Sequence, residues 1–296
     1  MTLFWFIDAE KANLPVSRLC HVLGVSRSGY YAWTTRGPSN RVRRDRVLIR
    51  YIRQCHDDSR HTYGAARIHA DLRLHHDIRC GKKRVARLMR REGIVGVQRR
   101  RLTGCTHRDT RRPVSDDLVA RNFARTAINR LWVADITQHP TDEGWLYAAI
   151  VQDTCSRRIV GWAMDDHLRA ELVVAALNMA VARRKPKPGL VVHHSDHGSQ
   201  YTSAAFDRAL KRSGIQGSMG TVGDALDNAM AESFNATLQT ELLNTRPSWP
   251  TRHMLKSAVF DYIEVFYNRH RRHSALGFLS PLAYEDSLKP GASDAG

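Results

Sequence analysis

The 296-residue chain has no apolar run approaching the roughly 18 residues of a membrane span. Its opening, "MTLFWFIDAEK", holds too short an apolar stretch, without a leading positive segment, to act as a signal peptide. Paired cysteines are also missing. Cys20, Cys55, Cys80, Cys105 and Cys155 are scattered singly with no C-x-x-C, which excludes a disulfide framework and leaves reduced thiols of the cytosolic kind. No internal repeat and no low-complexity segment is found, so repeat architectures are excluded too. What is present suits a globular protein: 42% hydrophobic residues can bury a core, and the length suits two or three domains.

Acidic residues are scarce in one part of the chain only. The whole sequence has 46 Lys and Arg against 29 Asp and Glu, a net charge of +17 with a pI near 10.2. Residues 1–130 hold 29 basic and 11 acidic side chains and carry +18, whereas residues 131–296 hold 17 and 18 and carry −1. Arginine dominates the excess, and its planar guanidinium binds phosphate bidentately. These arginines are interspersed with helix-like apolar positions rather than gathered in a tail, which favours a nucleic-acid surface over a solvated or lipid-binding one.

The pattern along the chain divides accordingly. In "LPVSRLCHVLGVSRSGYYAW", residues 14–33, apolar residues recur at helical spacing on both sides of Gly24, and Ser26 is placed to cap the second helix. This reads as a helix-turn-helix. "RGPSNRVRRDR" reads as a linker. Residues 44–92 read as helices, "RDRVLIRYIRQCHDD" and "GKKRVARLMRREG", on either side of a loop around "HTYGAARIHADLRLH". On the last helix Val85, Leu88 and Met89 form an apolar seam under a face of Lys82, Lys83, Arg84, Arg87, Arg90 and Arg91, suited to a phosphate backbone. "QRRRLTGCTHRDTRRPVSDD" lacks periodicity and reads as an interdomain linker.

After Asn129 strands begin. "LWVADITQ", "WLYAAIVQDT" and "RRIVGWAMDD" predict an antiparallel meander. A helix over 168–184, a fourth strand at "LVVHHS", a helix at "TSAAFDRALKRSG" and a short strand at "IQGSMG" follow, with longer helices over 224–243 and 254–269. The fold class expected is therefore α/β, a mixed sheet with flanking helices, preceded by all-α DNA-binding segments.

Three acids draw attention within this frame. Asp135 lies inside the first strand, among apolar neighbours, where an unpaired carboxylate costs several kcal/mol. Asp196 follows the fourth strand, at the end where open α/β sheets hold ligands; its ordinary role there is a turn aspartate before glycine. Glu232 falls on the helical face opposite the stripe Met230, Phe234, Leu238 and Leu242, together with Asn228 and Gln239; its ordinary role there is a solvated glutamate. Sixty residues separate the first two acids and 35 separate the last two.

This D,D-35-E spacing resembles that of the DDE transposases and retroviral-type integrases, and most closely the second-frame (OrfB) transposases of the bacterial insertion-sequence-3 family. "LCHVLGVSRSGYYAW", "YGAARI", "DTCSRRIVGWAM", "HSDHGSQYTS", "DNAMAESF" and "YNRHRRHSALGFLSP" are similar to that family's motifs, in order and over nearly the whole chain. The resemblance implies an RNase H-like core with a five-stranded sheet. It also implies catalysis by two Mg2+ ions, with Mn2+ substituting, held by Asp135, Asp196 and Glu232, Asp135 bridging both. The reaction implied is hydrolysis at an element end, followed by transfer of the freed 3′-hydroxyl to a second phosphodiester.

Boundaries expected on this basis are a helix-turn-helix segment at 1–40, a basic helical domain at 41–97, a linker at 98–128, the catalytic core at 129–245 and a C-terminal helix and basic tail at 246–296. The partners implied are terminal-repeat and target DNA, a second copy when ends are paired, and an upstream-frame (OrfA) product; the location implied is the bacterial cytoplasm, at the nucleoid. His197, Asn228, Arg269, Arg272 and His273 join the basic helix as expected DNA contacts, and Arg271 is read with them. His193, His194 and His197 read as strand-end packing or DNA contact rather than zinc, and Asp153 as structural. Two alternatives remain: an RNase H-like nuclease without strand transfer, and a DNA-binding regulator with an inactive core.

Overall fold

The computed structural model describes residues 3–97, 127–219 and 229–289. Most of the expected linker, with Cys105, and Asn228 lie outside these residues. The chain divides into two compact units, Met1–Tyr51 and Ile52–Gly296.

The first unit is helical. α1 (Leu3–Glu10), unforeseen in the sequence, precedes α2 (Val16–Val22) and α3 (Arg27–Thr35). Ile7, Leu19, Cys20 and Tyr30 form its core, with Phe4, Val16 and Trp33 against them. Gly24 adopts φ +63° between α2 and α3, a conformation that disfavours side chains with a Cβ. The Ser26 hydroxyl accepts the Gly29 N–H at 3.0 Å, the cap expected of it.

Two expectations for the helical part fail. α4 (Asn40–Asp58) begins inside the supposed linker, because the Arg-rich stretch is a good helix former and Leu48, Ile49, Ile52 and Cys55 give it a buried side. The supposed loop at "YGAARIHADLRL" is α5 (Ala65–Leu74), which buries Ile68 and Leu72. α6 (Lys82–Arg91) follows as expected, burying Val85, Leu88 and Met89.

The second unit is built on a five-stranded sheet of order β3-β2-β1-β4-β5. β1 (Leu131–Thr141), β2 (Gly144–Asp153) and β3 (Ile159–Asp165) form the antiparallel meander, and β4 (Val192–Ser195) and β5 (Gln216–Met219) add in parallel. A parallel addition requires crossovers, which α7 (Ala170–Arg184) and α8 (Ala204–Arg212) supply. Trp132, Ala134, Val151, Leu177, Phe206 and Leu210 fill the core on their side of the sheet. α7 approaches β3 closely because residue 161 is glycine; a Cβ there would lie 2.1 Å from the Ala176 carbonyl oxygen.

The other side belongs to α9 (Ala229–Glu241) and α10 (Arg252–Asp261). α10 continues as a π-helical turn, Tyr262–Tyr267, which buries Tyr262, Ile263, Phe266 and Tyr267. Phe234 of α9 meets Tyr267 edge-on at 4.9 Å. A final helix, α11 (Pro281–Ser287), is anchored by Glu285, which accepts from Arg158 at 2.7 Å and Arg184 at 2.9 Å.

Candidate active site

Side chains alternate across a strand, so the face of each acid follows from its neighbours. Trp132 and Ala134 point into the α7–α8 core; Asp135 therefore points the other way, toward α9. Along β4, Val191 just before it belongs to that same core and the His193 ring meets Phe206 edge-on, and alternation carries Asp196 to the face of Asp135. The parallel register pairs Val133 with His194. Asp135 and Asp196 each lie two residues further on, level with each other just beyond the paired stretch, Asp135 in the middle of β1 and Asp196 immediately after β4.

The third acid arrives on α9. Asn235 Nδ2 donates to Asp135 Oδ2 at 2.7 Å, which fixes that side of α9 over the middle of β1. Glu232 is one turn away on the same helix, exposed, while Phe234 and Leu238 are buried as the sequence stripe predicts. Asp135 Oδ1 also accepts the Ile136 N–H at 2.9 Å. Burial pushes the Asp135 carboxyl up to about 7, and the negative charges of Asp196 and Glu232 add to the rise against the two hydrogen bonds. Asp196 Oδ1 accepts the Gly198 N–H at 3.1 Å, so the carboxylate makes its own turn while remaining exposed.

Tyr201 closes the site from below. Its ring lies 5.4 Å from that of Phe206, and its hydroxyl is buried without a hydrogen-bond partner among the described residues. Burial raises its pKa, as do Asp135 and Asp196. Asp153 stands apart from the acids: it is fully buried and accepts N–H groups of Asn129, Cys155 and Ser156, which makes it structural. His193 is buried and pushed down to about 4 by burial. His194 Nδ1 meets Ser218 Oγ at 3.0 Å. His197 is half-buried beside Asp196.

The expected DNA contacts divide. On α6, Lys82, Lys83, Arg87, Arg90 and Arg91 are exposed and Arg84 is half-buried; Arg269 is exposed as well. The remainder of the C-terminal group is corrected. Arg272 donates to Asp71 Oδ1 at 2.6 and 2.8 Å, and its backbone N–H donates to the Tyr63 hydroxyl. Arg271 is buried and bidentate to Glu241 at 2.7 Å through both nitrogens. His273 is buried against Tyr267, and burial with Arg271, Arg157 and Arg67 pushes it down to about 2. These three side chains are taken up by partners within the fold.

Sequence reasoning missed Asn235 and the use of the C-terminal motif. An amide three residues after a candidate acid, on the same helical side, was the available signal for the first. For the second, Asn268 pairs both its amide atoms with the backbone of Ile159, at 2.9 and 3.0 Å, completing the edge of β3. Nothing local to "YNRHRRH" announces a partner so distant in sequence.

A mixed sheet with Asp135 and Asp196 level on adjacent strands and Glu232 on α9, preceded by basic helices, defines the integrase-type core joined to a helix-turn-helix-like domain. Family models agree: one integrase core domain matches residues 125–225, a second matches 213–281, and an HTH-like domain matches 43–101. The chain is 38% identical over 290 residues to transposase InsF for insertion sequence IS3A of Escherichia coli strain K12, covering 95% of this chain and 97% of that one. It is 40% identical over 268 residues to the uncharacterized 31 kDa protein of insertion element IS600 of Shigella sonnei, covering 90% and 97%. The chain belongs to the IS3 transposase family. Among solved structures it is similar to the HTLV-2 integrase catalytic core domain in complex with magnesium, with TM-score 0.41 and 14% identity over 53% of this chain and 96% of that one.

Proposed function

We propose that the protein is an active DNA transposase that cleaves insertion-element ends and joins the freed 3′-hydroxyl to target DNA, with Asp135, Asp196 and Glu232 as its catalytic acids. The observation that carries this reading is the level placement of Asp135 and Asp196 by the β1–β4 register, with α9 bound to Asp135 through Asn235 and bearing Glu232 one turn away.

The donor set suits magnesium. Three carboxylates offer hard oxygen ligands, and their mutual repulsion, visible in the raised Asp135, is relieved by a divalent cation. Asp135, Asp196 and Glu232 would hold two ions, or manganese in their place. Bound there, magnesium would polarise the scissile phosphate and acidify the attacking hydroxyl. The protein's own contribution is positioning: Asn235 fixes the Asp135 carboxylate, the Gly198 N–H fixes Asp196, and the Phe234 contact with Tyr267 seats α9 so that Glu232 faces outward.

Two displacements follow on one set of acids. Water attacks the phosphorus at an element end and the 3′-oxygen leaves, taking a proton to become a hydroxyl. That hydroxyl then attacks a target phosphodiester, whose own 3′-oxygen leaves. The exposed basic face of α6, Arg269 and His197 supply contacts to the DNA backbone, with Asn228 assigned to the same role. Pairing of two ends calls for a second copy, and an upstream-frame product is the natural partner. The domains are those at 1–40, 41–97, 98–128, 129–245 and 246–296, and the protein works at the bacterial nucleoid.

The test is to incubate labelled element-end DNA with the protein, fused to its upstream frame where needed, and magnesium. Joined strands are expected. Cut strands without joining would make it a nuclease, and bound but intact ends would make it a regulator.

A further inference from the structure

Beneath α9, on the side turned away from Glu232, lies a cavity of about 260 Å³. Its walls are polar. Arg67, Arg157 and Arg271 line it against a single carboxylate, Glu241. Glu241 is shared between two of the arginines, Arg271 at 2.7 Å and Arg67 at 3.1 Å, and also accepts the Tyr262 hydroxyl at 2.8 Å. Arg157 makes no ion pair among the described residues. His273, on the same wall, is neutral at physiological pH.

Three guanidiniums and one carboxylate leave two positive charges around a half-enclosed space. Such an excess is unfavourable out of water unless an anion joins it. Guanidiniums bind carboxylate and phosphate alike, and a tetrahedral phosphate can accept N–H groups from several arginines at once. Hydroxyls of Ser233 and Thr237 face the same space.

We propose that this cavity is a phosphate-binding site, and that in the nucleoprotein complex it takes a backbone phosphate of the bound DNA. α9 borders both the cavity and the acids. Thr237 lies five residues beyond Glu232, about 7.5 Å along the helix axis, and on a different face of the helix. Arg157 is the residue to test, since Arg271 and Arg67 also hold Glu241. The assignment to phosphate stands independently of the transposase reading; its assignment to DNA rests on that reading.

The experiment compares the full chain with Arg157→Asn and Arg157→Lys. Residue 157 adopts φ +59°, which asparagine tolerates well, so the substitution preserves the turn. Thermal unfolding is recorded in inorganic phosphate and in chloride at matched ionic strength, and element-end DNA binding is titrated at several salt concentrations. Phosphate should raise the wild-type melting temperature by a few degrees, with most of the rise lost in Arg157→Asn and part restored in Arg157→Lys. DNA affinity should fall roughly three- to ten-fold in Arg157→Asn, with a log–log salt slope shallower by about one. A phosphate shift that depends on Arg157 with unchanged DNA affinity would keep the site and give it to free phosphate. An equal shift in wild type and Arg157→Asn, or none in either, would overturn the proposal. Neither readout needs catalysis, so a failure of strand transfer leaves the result intact.

Discussion

At the scale of single residues, the proposed site calls on Asn235 as well as on its acids. The amide holds one oxygen of Asp135 at 2.7 Å and so sets the direction in which the other faces. Asn235→Ala should reduce strand transfer roughly 10- to 100-fold, the usual effect of removing a group that orients a metal ligand, while DNA binding in an anisotropy titration stays unchanged. A second expectation concerns pH. Burial pushes His139 and His193 down to about 4, below the 6.5 of a free histidine. The unfolded chain takes up these protons first, so stability is complete above about pH 6.5 and falls as pH drops toward 4, by up to ~1.4 kcal/mol per pH unit for each histidine. Glu241 and Glu285, held below the usual range by their arginines against the effect of burial, lose stability in the same direction at lower pH. Denaturant titrations at pH 7.5 and 5 should show the loss, and His139→Leu should lessen it. The three acids stood out in the sequence because their spacing can be read in one dimension. Asn235 did not, since an asparagine on a helix has no spacing of its own, and Arg272 and His273 misled because a basic cluster after a helix looks the same whether it faces DNA or a buried carboxylate.

At the scale of elements, α9 joins the acids to the helical region. Glu232 stands near one end and Glu241 at the other, where Arg271 from the C-terminal motif and Arg67 from α5 meet it. Breaking a buried pair strands a charge, so Arg271→Ala should destabilise by about 3–5 kcal/mol. Replacing both members, with Glu241→Gln and Arg271→Met, should cost clearly less in the same denaturant assay. The α7–β3 contact makes a separate case: Gly161→Ala places a methyl against the Ala176 carbonyl and should cost about 1–3 kcal/mol or more. The strands and α7 to α9 were readable because alternation and helical period are strong where helices cover both faces of a sheet. α5 and the start of α4 were not, for opposite reasons. In "YGAARIHADL" the glycine and the histidine resemble a loop until Ile68 and Leu72 are seen buried, and in "RGPSNRVRRDR" Gly and Pro mask a helix that begins only two residues later.

At the scale of the whole molecule, the uneven charge matches the division of labour. The part with +18 carries the HTH-like match, and the nearly neutral remainder carries the integrase core. Among the described residues no helix is long and apolar enough to cross a membrane. An electrostatic footprint of this kind should make DNA affinity fall steeply with salt, and Lys82→Ala with Arg90→Ala should flatten the log–log slope by about two without altering sequence preference. The central claim is that the three acids form the transposition site, and the most direct measurement is strand transfer by Asp135→Asn, Asp196→Asn and Glu232→Gln beside the wild type, with folding and end binding checked in parallel. Joined product should vanish in all three while element ends remain bound. Product at the wild-type level from any one of them would contradict the account.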